Sequence, residues 1–322
     1  MDSLDMRLLR AMFPEQIFAL TGIDPRSSVQ ELSRAAGASR VTVRRRLERW
    51  KTQGFWKGAV VFPNPDLLGC SLMMQSFTLD PGRNRDRLEK SLVEIFQPAF
   101  LFQTEHVYNP VFFSESPKVT VRRQGAFRAA GTGTANCPPI RVPFPPSTAE
   151  FGPRDWEIIR ELRKAPGLDW SAVALAAGVT VRSLARRVGR LMSARALFFF
   201  PELDFRHSPG SVAWVGVLFK TGADTKRLEA ELARRYPDLL PVENFFPFEC
   251  LLPPSLRPSV GGSFPFFLPV PTASAGDQLR RDIGMMPGVA ETLIGFPTQN
   301  ISVPGPFDRK IEGVIARSGA SA

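Results

Sequence analysis

The stretch Ser39-Arg40-Val41-Thr42-Val43-Arg44-Arg45-Arg46-Leu47-Glu48-Arg49-Trp50 decides how the rest of the chain is read. Val43, Leu47 and Trp50 are spaced four and three apart, so on a helix they form one apolar stripe. Thr42, Arg45 and Arg49 fall away from that stripe, with Arg46 beside them. Ser39 is a good N-cap, and Gly37 supplies a tight turn just before it. Five arginines and a single lysine lie between positions 40 and 52. Arginine, unlike lysine, makes bidentate contacts with guanine or phosphate. A cationic helix entered through a short glycine turn is suited to the major groove of DNA. Trp50 and Trp56 are read as core residues rather than base-stacking ones.

Working outward, the same pattern recurs later in the chain. Ala35-Ala36-Gly37 returns as Ala176-Ala177-Gly178, and Ser39 corresponds to Thr180. Val43, Leu47 and Trp50 correspond to Leu184, Val188 and Leu191. Arg45, Arg46 and Arg49 correspond to Arg186, Arg187 and Arg190 with identity. Upstream, Asp5-Met6-Arg7-Leu8-Leu9-Arg10 is similar to Asp155-Trp156-Glu157-Ile158-Ile159-Arg160. Downstream, Phe62-Pro63 matches Phe200-Pro201, and Arg87-Leu88-Glu89 matches Arg227-Leu228-Glu229. Two similar halves, roughly 1–149 and 150–322, follow from these matches.

Each half then predicts the same order. A first helix (5–13, 154–164) and a second (29–36, 170–177) lead through a glycine turn to the cationic third (40–52, 181–193). A short β pair, the wing, comes next at 55–62 and 196–200. A strand (71–79, 211–219) and an amphipathic helix (84–97, 224–236) follow, then strand-like segments at 101–113 and 240–252. In the second half a helix at 277–285 and a strand at 289–296 complete a βαββαβ order, which is ferredoxin-like. In the first half, 119–137 is basic and Gly/Ala-rich without clear periodicity, so an incomplete or remodelled unit is expected there. The proline-rich stretches 137–146 and 253–271 read as irregular connections.

The chain has 322 residues and a formal net charge of +10, so a polyanionic partner is a natural expectation. Three isolated cysteines without a CxxC support neither a disulfide framework nor a zinc site. No long apolar run suggests a secretory leader or a membrane span, and a reducing cytoplasm is the simplest home. No cofactor or metal is called for, because metal-ligand clusters, GxGxxG and P-loop patterns are missing from the sequence. The histidines, His106 and His207, stand at non-equivalent positions with no nucleophile in view, so the reading is that the chain is not an enzyme.

These residues resemble the Lrp/AsnC family of transcription regulators. The likeness rests on Leu4-Asp5-Met6-Arg7-Leu8-Leu9, on the run from Leu32 to Leu47, and on the closing Met286-Pro287-Gly288-Val289-Ala290-Glu291-Thr292. It implies an α+β chain of two winged helix-turn-helix domains, at 1–66 and 150–205. Each is followed by a ferredoxin-like domain, at 67–149 and 206–322. It further implies a regulator bound to double-stranded DNA, a small-molecule effector and homo-oligomers formed through the ferredoxin-like parts. The DNA-contacting candidates are Ser39, Arg40, Thr42, Arg45, Arg46, Arg49 and Lys57 in the first half. Those in the second half are Thr180, Arg182, Ser183, Arg186, Arg187 and Arg190. The alternative is a ligand-binding or haem-pathway decarboxylase-type relative with a mainly structural helix-turn-helix. It would need a basic, histidine-containing pocket, for which His106, Arg122 and Arg123 are the residues to consider.

Overall fold

The computed structural model describes residues 1–12, 29–79, 82, 84–104, 107–142, 144–164, 169–241, 251–252, 255–302 and 305–319. Helices α1 (Ser3–Met12), α2 (Val29–Ala36) and α3 (Arg40–Thr52) form the first three-helix unit. Helices α6 (Pro153–Lys164), α7 (Trp170–Ala176) and α8 (Val181–Ser193) form the second. The turns into α3 and α8 are alike in detail. Gly37 and Gly178 both adopt φ +62°, a left-handed conformation open to glycine at little cost. Ser39 and Thr180 then cap the helices by accepting from the amides of Thr42 and Ser183, each at 3.1 Å. The apolar stripe is as its spacing predicts: Val43, Trp50, Leu184, Val188 and Leu191 are buried, and Leu47 is partly so.

The strands after the third helices depart from expectation. Neither half builds a β pair of its own here. Instead β1 (Trp56–Pro63) pairs antiparallel with β8 (Leu197–Leu203) of the other half, forming a two-stranded ribbon. Val61 faces Phe199, and each stands one residue before the Phe-Pro dipeptide that the halves share. Equivalent residues therefore meet at the ribbon centre, which gives the pairing a local twofold character.

The first half contains a whole βαββαβ unit. Its first strand is split into β2 (Ser71–Met74) and β3 (Phe77–Thr78). Then come α4 (Arg85–Phe96), β4 (Phe100–Thr104), β5 (Val107–Ser114), α5 (Pro117–Ala130), and a broken last strand, β6 (Thr134–Ala135) and β7 (Ile140–Arg141). This corrects the expected incompleteness. Helix α5 escapes periodicity because only Thr120 and Phe127 are buried along it, and its interior carries Gly125. The second unit is β9 (Val212–Lys220), α9 (Thr225–Arg235), β10 (Leu240–Pro241), β11 (Val260–Pro269), α10 (Ala273–Gly284) and β12 (Val289–Gly295). Strand β11 lies inside the stretch read as irregular. Its Pro265 is accommodated opposite Gly216 in an antiparallel ladder. In both units the first strand lies between the third and the fourth, with the second outside the third.

Beyond β12 the chain contacts both halves. Strand β13 (Pro297–Ser302) pairs with the edge of β4, and α11 (Pro306–Gly319) lies against α6. Neither element is expected from the sequence. The cores also cross. The first three-helix unit shares a core with Leu203, Phe205, Val212, Leu240 and Phe267 of the second half. The second shares one with Val61, Phe62, Leu72, Met74 and Phe113 of the first. Leu218 joins that same core, with Trp214, Val260 and Leu293 packed on it, so the faces of the two sheets away from their helices share apolar packing. The sequence segment Phe245-Phe246-Pro247-Phe248 lies outside the described residues.

Candidate nucleic-acid interface

Helices α3 and α8 each carry three arginines at matching positions, and the structure divides them. In the first unit Asp5 is buried at the start of α1. It accepts from Arg46 (3.0 Å), Arg49 (3.4 Å) and the Trp50 indole N–H (3.2 Å). Asp2 adds a second carboxylate on Arg46, at 2.5 Å. Burial alone would raise the Asp2 carboxyl, but the Asp5 amide and the Arg46 guanidinium outweigh it and hold the pKa below its ordinary value. In the second unit Asp155 does the same work, accepting from Arg187 (3.3 Å) and Arg190 (2.7 Å). Arg46, Arg49, Arg187 and Arg190 were expected at DNA; here each has a carboxylate partner inside the protein. The signal for this pairing was in the sequence, since Asp5 and Asp155 open the first repeat match. Their burial could not be read there.

Arg45 and Arg186 are different. Both are exposed, and neither has an ion pair or hydrogen bond among the described residues. Around Arg45 lie the exposed Arg40, Val41, Thr42 and Arg44, with the cap residue Ser39; around Arg186 lie exposed Val181 and Arg182, half-buried Ser183 and the cap Thr180. Each helix thus begins with one arginine and one exposed valine, in opposite order: Arg40-Val41 and Val181-Arg182. An arginine beside an exposed apolar group suits base edges, where guanine offers acceptors and thymine a methyl group.

Lys57, expected at the flanking DNA backbone, lies 3.1 Å from the buried carboxylate of Asp204. Of the residues considered for a histidine-containing pocket, two are described. Arg123 donates to the Phe113 carbonyl at 2.6 Å and lies over the Phe112 ring, Arg122 is exposed on α5, and His106 lies outside the described residues. Among the described residues no helix is long and apolar enough to cross a membrane.

The molecule is of a mixed α+β class, joining helix-turn-helix units to ferredoxin-like ones. Solved structures similar to this chain include two kinds. Two structures of the siroheme decarboxylase NirDL, one in complex with an iron-uroporphyrin III analogue, are each 12% identical. They cover 98% of this chain and 99% of their own, with TM-scores of 0.48 and 0.47. The Mycobacterium tuberculosis leucine response regulatory protein LrpA is 21% identical, covers 47% of this chain and 96% of its own, and has a TM-score of 0.29. No family model matches the sequence, and no curated protein does either. The expectation that the chain is not an enzyme is corrected here. The two structures above that match nearly the whole chain are of a decarboxylase.

Proposed function

We propose that this chain is a DNA-binding regulator of Lrp/AsnC type that reads a pseudo-palindromic duplex through α3 and α8. The observation that carries the reading is the pair Arg45 and Arg186. They occupy one position on two matching helices, face solvent, and stand next to arginines already paired with Asp5 and Asp155. A chain needing arginine only to brace its helices would leave this position free of it.

The ribbon supports the reading too. Equivalent strands crossing antiparallel relate the two helices by a local dyad, as duplex DNA relates its half-sites. Leu197 begins β8 opposite Pro63, at the far end of β1 from Trp56. At ~3.3 Å per residue the two strand starts are roughly 23 Å apart. Helices of about 20 Å extending from them can span the ~34 Å of one helical turn. Ferredoxin-like units as sites of oligomerisation and of a small effector belong to the same proposal.

The test is a gel shift on random duplexes with the wild type and with Arg45→Ala/Arg186→Ala. Binding that weakens at least ten-fold in the double variant, with its melting temperature unchanged, is the expected result. No binding at low salt, or binding indifferent to the substitution, would sink it. An absorbance band on adding a tetrapyrrole, in a chain that ignores DNA, would move the assignment to the haem-pathway alternative.

A further inference from the structure

The two ends of the β1–β8 ribbon close alike, apart from one residue type. At one end Asn64 is fully buried. Its backbone N–H donates to the Ala196 carbonyl, and its side chain caps the short 3₁₀ turn Pro65–Leu68. Its amide group also donates to the carbonyls of Pro145 and Arg195. At the other end Asp204 is 1% exposed, donates its N–H to the Phe55 carbonyl, and caps the turn Phe205–His207. The neutral asparagine closes its end without a cation. A buried aspartate is therefore not required to close the ribbon.

Asp204 gathers three basic side chains on a single oxygen. Lys57 Nζ lies 3.1 Å from Oδ2, Arg206 Nη2 2.7 Å and His207 Nδ1 3.3 Å; Arg206 Nε also reaches Oδ1 at 2.9 Å. Each of the three is about half exposed, at 45%, 51% and 53%. One end of each group is fixed by the carboxylate while donors remain for solvent: two on Lys57, the Nη1 hydrogens of Arg206 and, when protonated, Nε2 of His207. Burial would raise the Asp204 carboxyl, but Arg206 and Lys57 overcome it and hold the pKa well below the carboxylate range, so its charge is permanent near neutral pH. The other charges facing the group are Glu202, half-buried on β8 with its pKa raised by burial, and Arg85 and Glu89 of α4. The His207 ring lies against Gly54, where an added Cβ would come within 3.8 Å of it.

We propose that Lys57, Arg206 and His207 form a binding site for a phosphate or carboxylate oxyanion, with Asp204 as its positioning residue. Protonated His207 completes the site, so affinity rises as pH falls. The oxyanion is either a free ion or a backbone phosphate of bound nucleic acid.

The chain has two histidines, so its imidazole C2–H proton spectrum contains two signals, and His207→Gln identifies one of them. The full chain is titrated with inorganic phosphate, citrate or a 20-base-pair duplex, with chloride at matched ionic strength as control. We expect a saturable shift of the His207 signal and none of the His106 signal. Arg206→Gln should weaken the apparent Kd about ten-fold, the loss of one charge-assisted pair. Asp204→Asn should displace the pH dependence of binding to lower pH, because the imidazolium loses its carboxylate neighbour. A shift with duplex but not with free ions assigns the oxyanion to the nucleic-acid backbone. Movement that chloride reproduces, no saturable shift with any probe, or equal binding by Arg206→Gln overturns the proposal. Because Arg206 is exposed, that variant remains informative even if Asp204→Asn fails to fold.

Discussion

Asp5 and Asp155 brace their helix-turn-helix units in the same way, but their surroundings differ. Asp5 holds Arg46 and Arg49, whose side chains are 22% and 40% exposed, and accepts from Trp50 as well. Asp155 holds Arg187 and Arg190 at 36% and 54%, and a leucine replaces the tryptophan. The units are also anchored differently. In the first, Arg10 donates to the Pro237 and Leu239 carbonyls and Ser3 to Asp238, all in the second half. In the second, Arg163 bridges the Val61 carbonyl (2.7 Å) and Asp308 of α11 (2.6 Å), and α11 itself has no counterpart beside α1 among the described residues. The comparison teaches that one brace can be kept while the surface it presents and its attachment to the body both diverge.

Asp5→Ala offers the strongest way to break this comparison. It leaves Arg49 and an indole N–H without their acceptor and Arg46 with Asp2 alone, and should cost about 2–3 kcal/mol, below the ~3–5 for a fully buried pair because Arg46 keeps a carboxylate and Arg49 can rehydrate. Asp155→Ala should cost less, about 1–2 kcal/mol, because its arginines are more exposed and no indole is left behind. Urea unfolding of both variants measures the difference; an equal or reversed order would mean the braces are not graded by burial.

Arg163→Ala tests the attachment and should cost about 2 kcal/mol, since it removes a nearly buried guanidinium bonded to a carbonyl and a carboxylate. Hydrogen exchange should speed up in α6–α8 and leave α1–α3 unchanged. Uniform acceleration would mean the second unit has no separate anchor.

For DNA affinity, Arg45→Ala should weaken binding by about 1–2 kcal/mol. Arg186→Ala should have the smaller effect, because Arg40 and Arg44 of the first unit are replaced by Val181 and Ala185 in the second. Fluorescence anisotropy on one selected duplex ranks them, and a larger effect at Arg186 would reverse the assignment of the stronger reader.

The smallest expected effect is a pH dependence. Burial pushes the Asp308 carboxyl up, but the Arg163 guanidinium prevails and lowers its pKa. A carboxylate with a depressed folded pKa stabilises fully above its unfolded value, near 3.9, and loses that contribution as pH falls through the folded value. Thermal melts of the wild type should therefore drop below about pH 4, and those of Arg163→Ala should drop less over the same window. Parallel curves would remove Asp308 from the latch.

The helix-turn-helix helices, their caps and the second βαββαβ unit apart from strand β11 were legible in the sequence because they are written locally. Ser39 caps Thr42 three residues away, and Val43, Leu47 and Trp50 share a face by helical geometry alone. Tertiary structure decided what lies beyond that range. Arg46 meets Asp5 across 41 residues, and β1 meets β8 across roughly 140. Strand β13 joins the edge of a sheet formed some 190 residues earlier. An apolar strand specifies that it must be covered, but not by which segment. That choice falls to whichever pairing buries both faces together, and here it crosses the two halves.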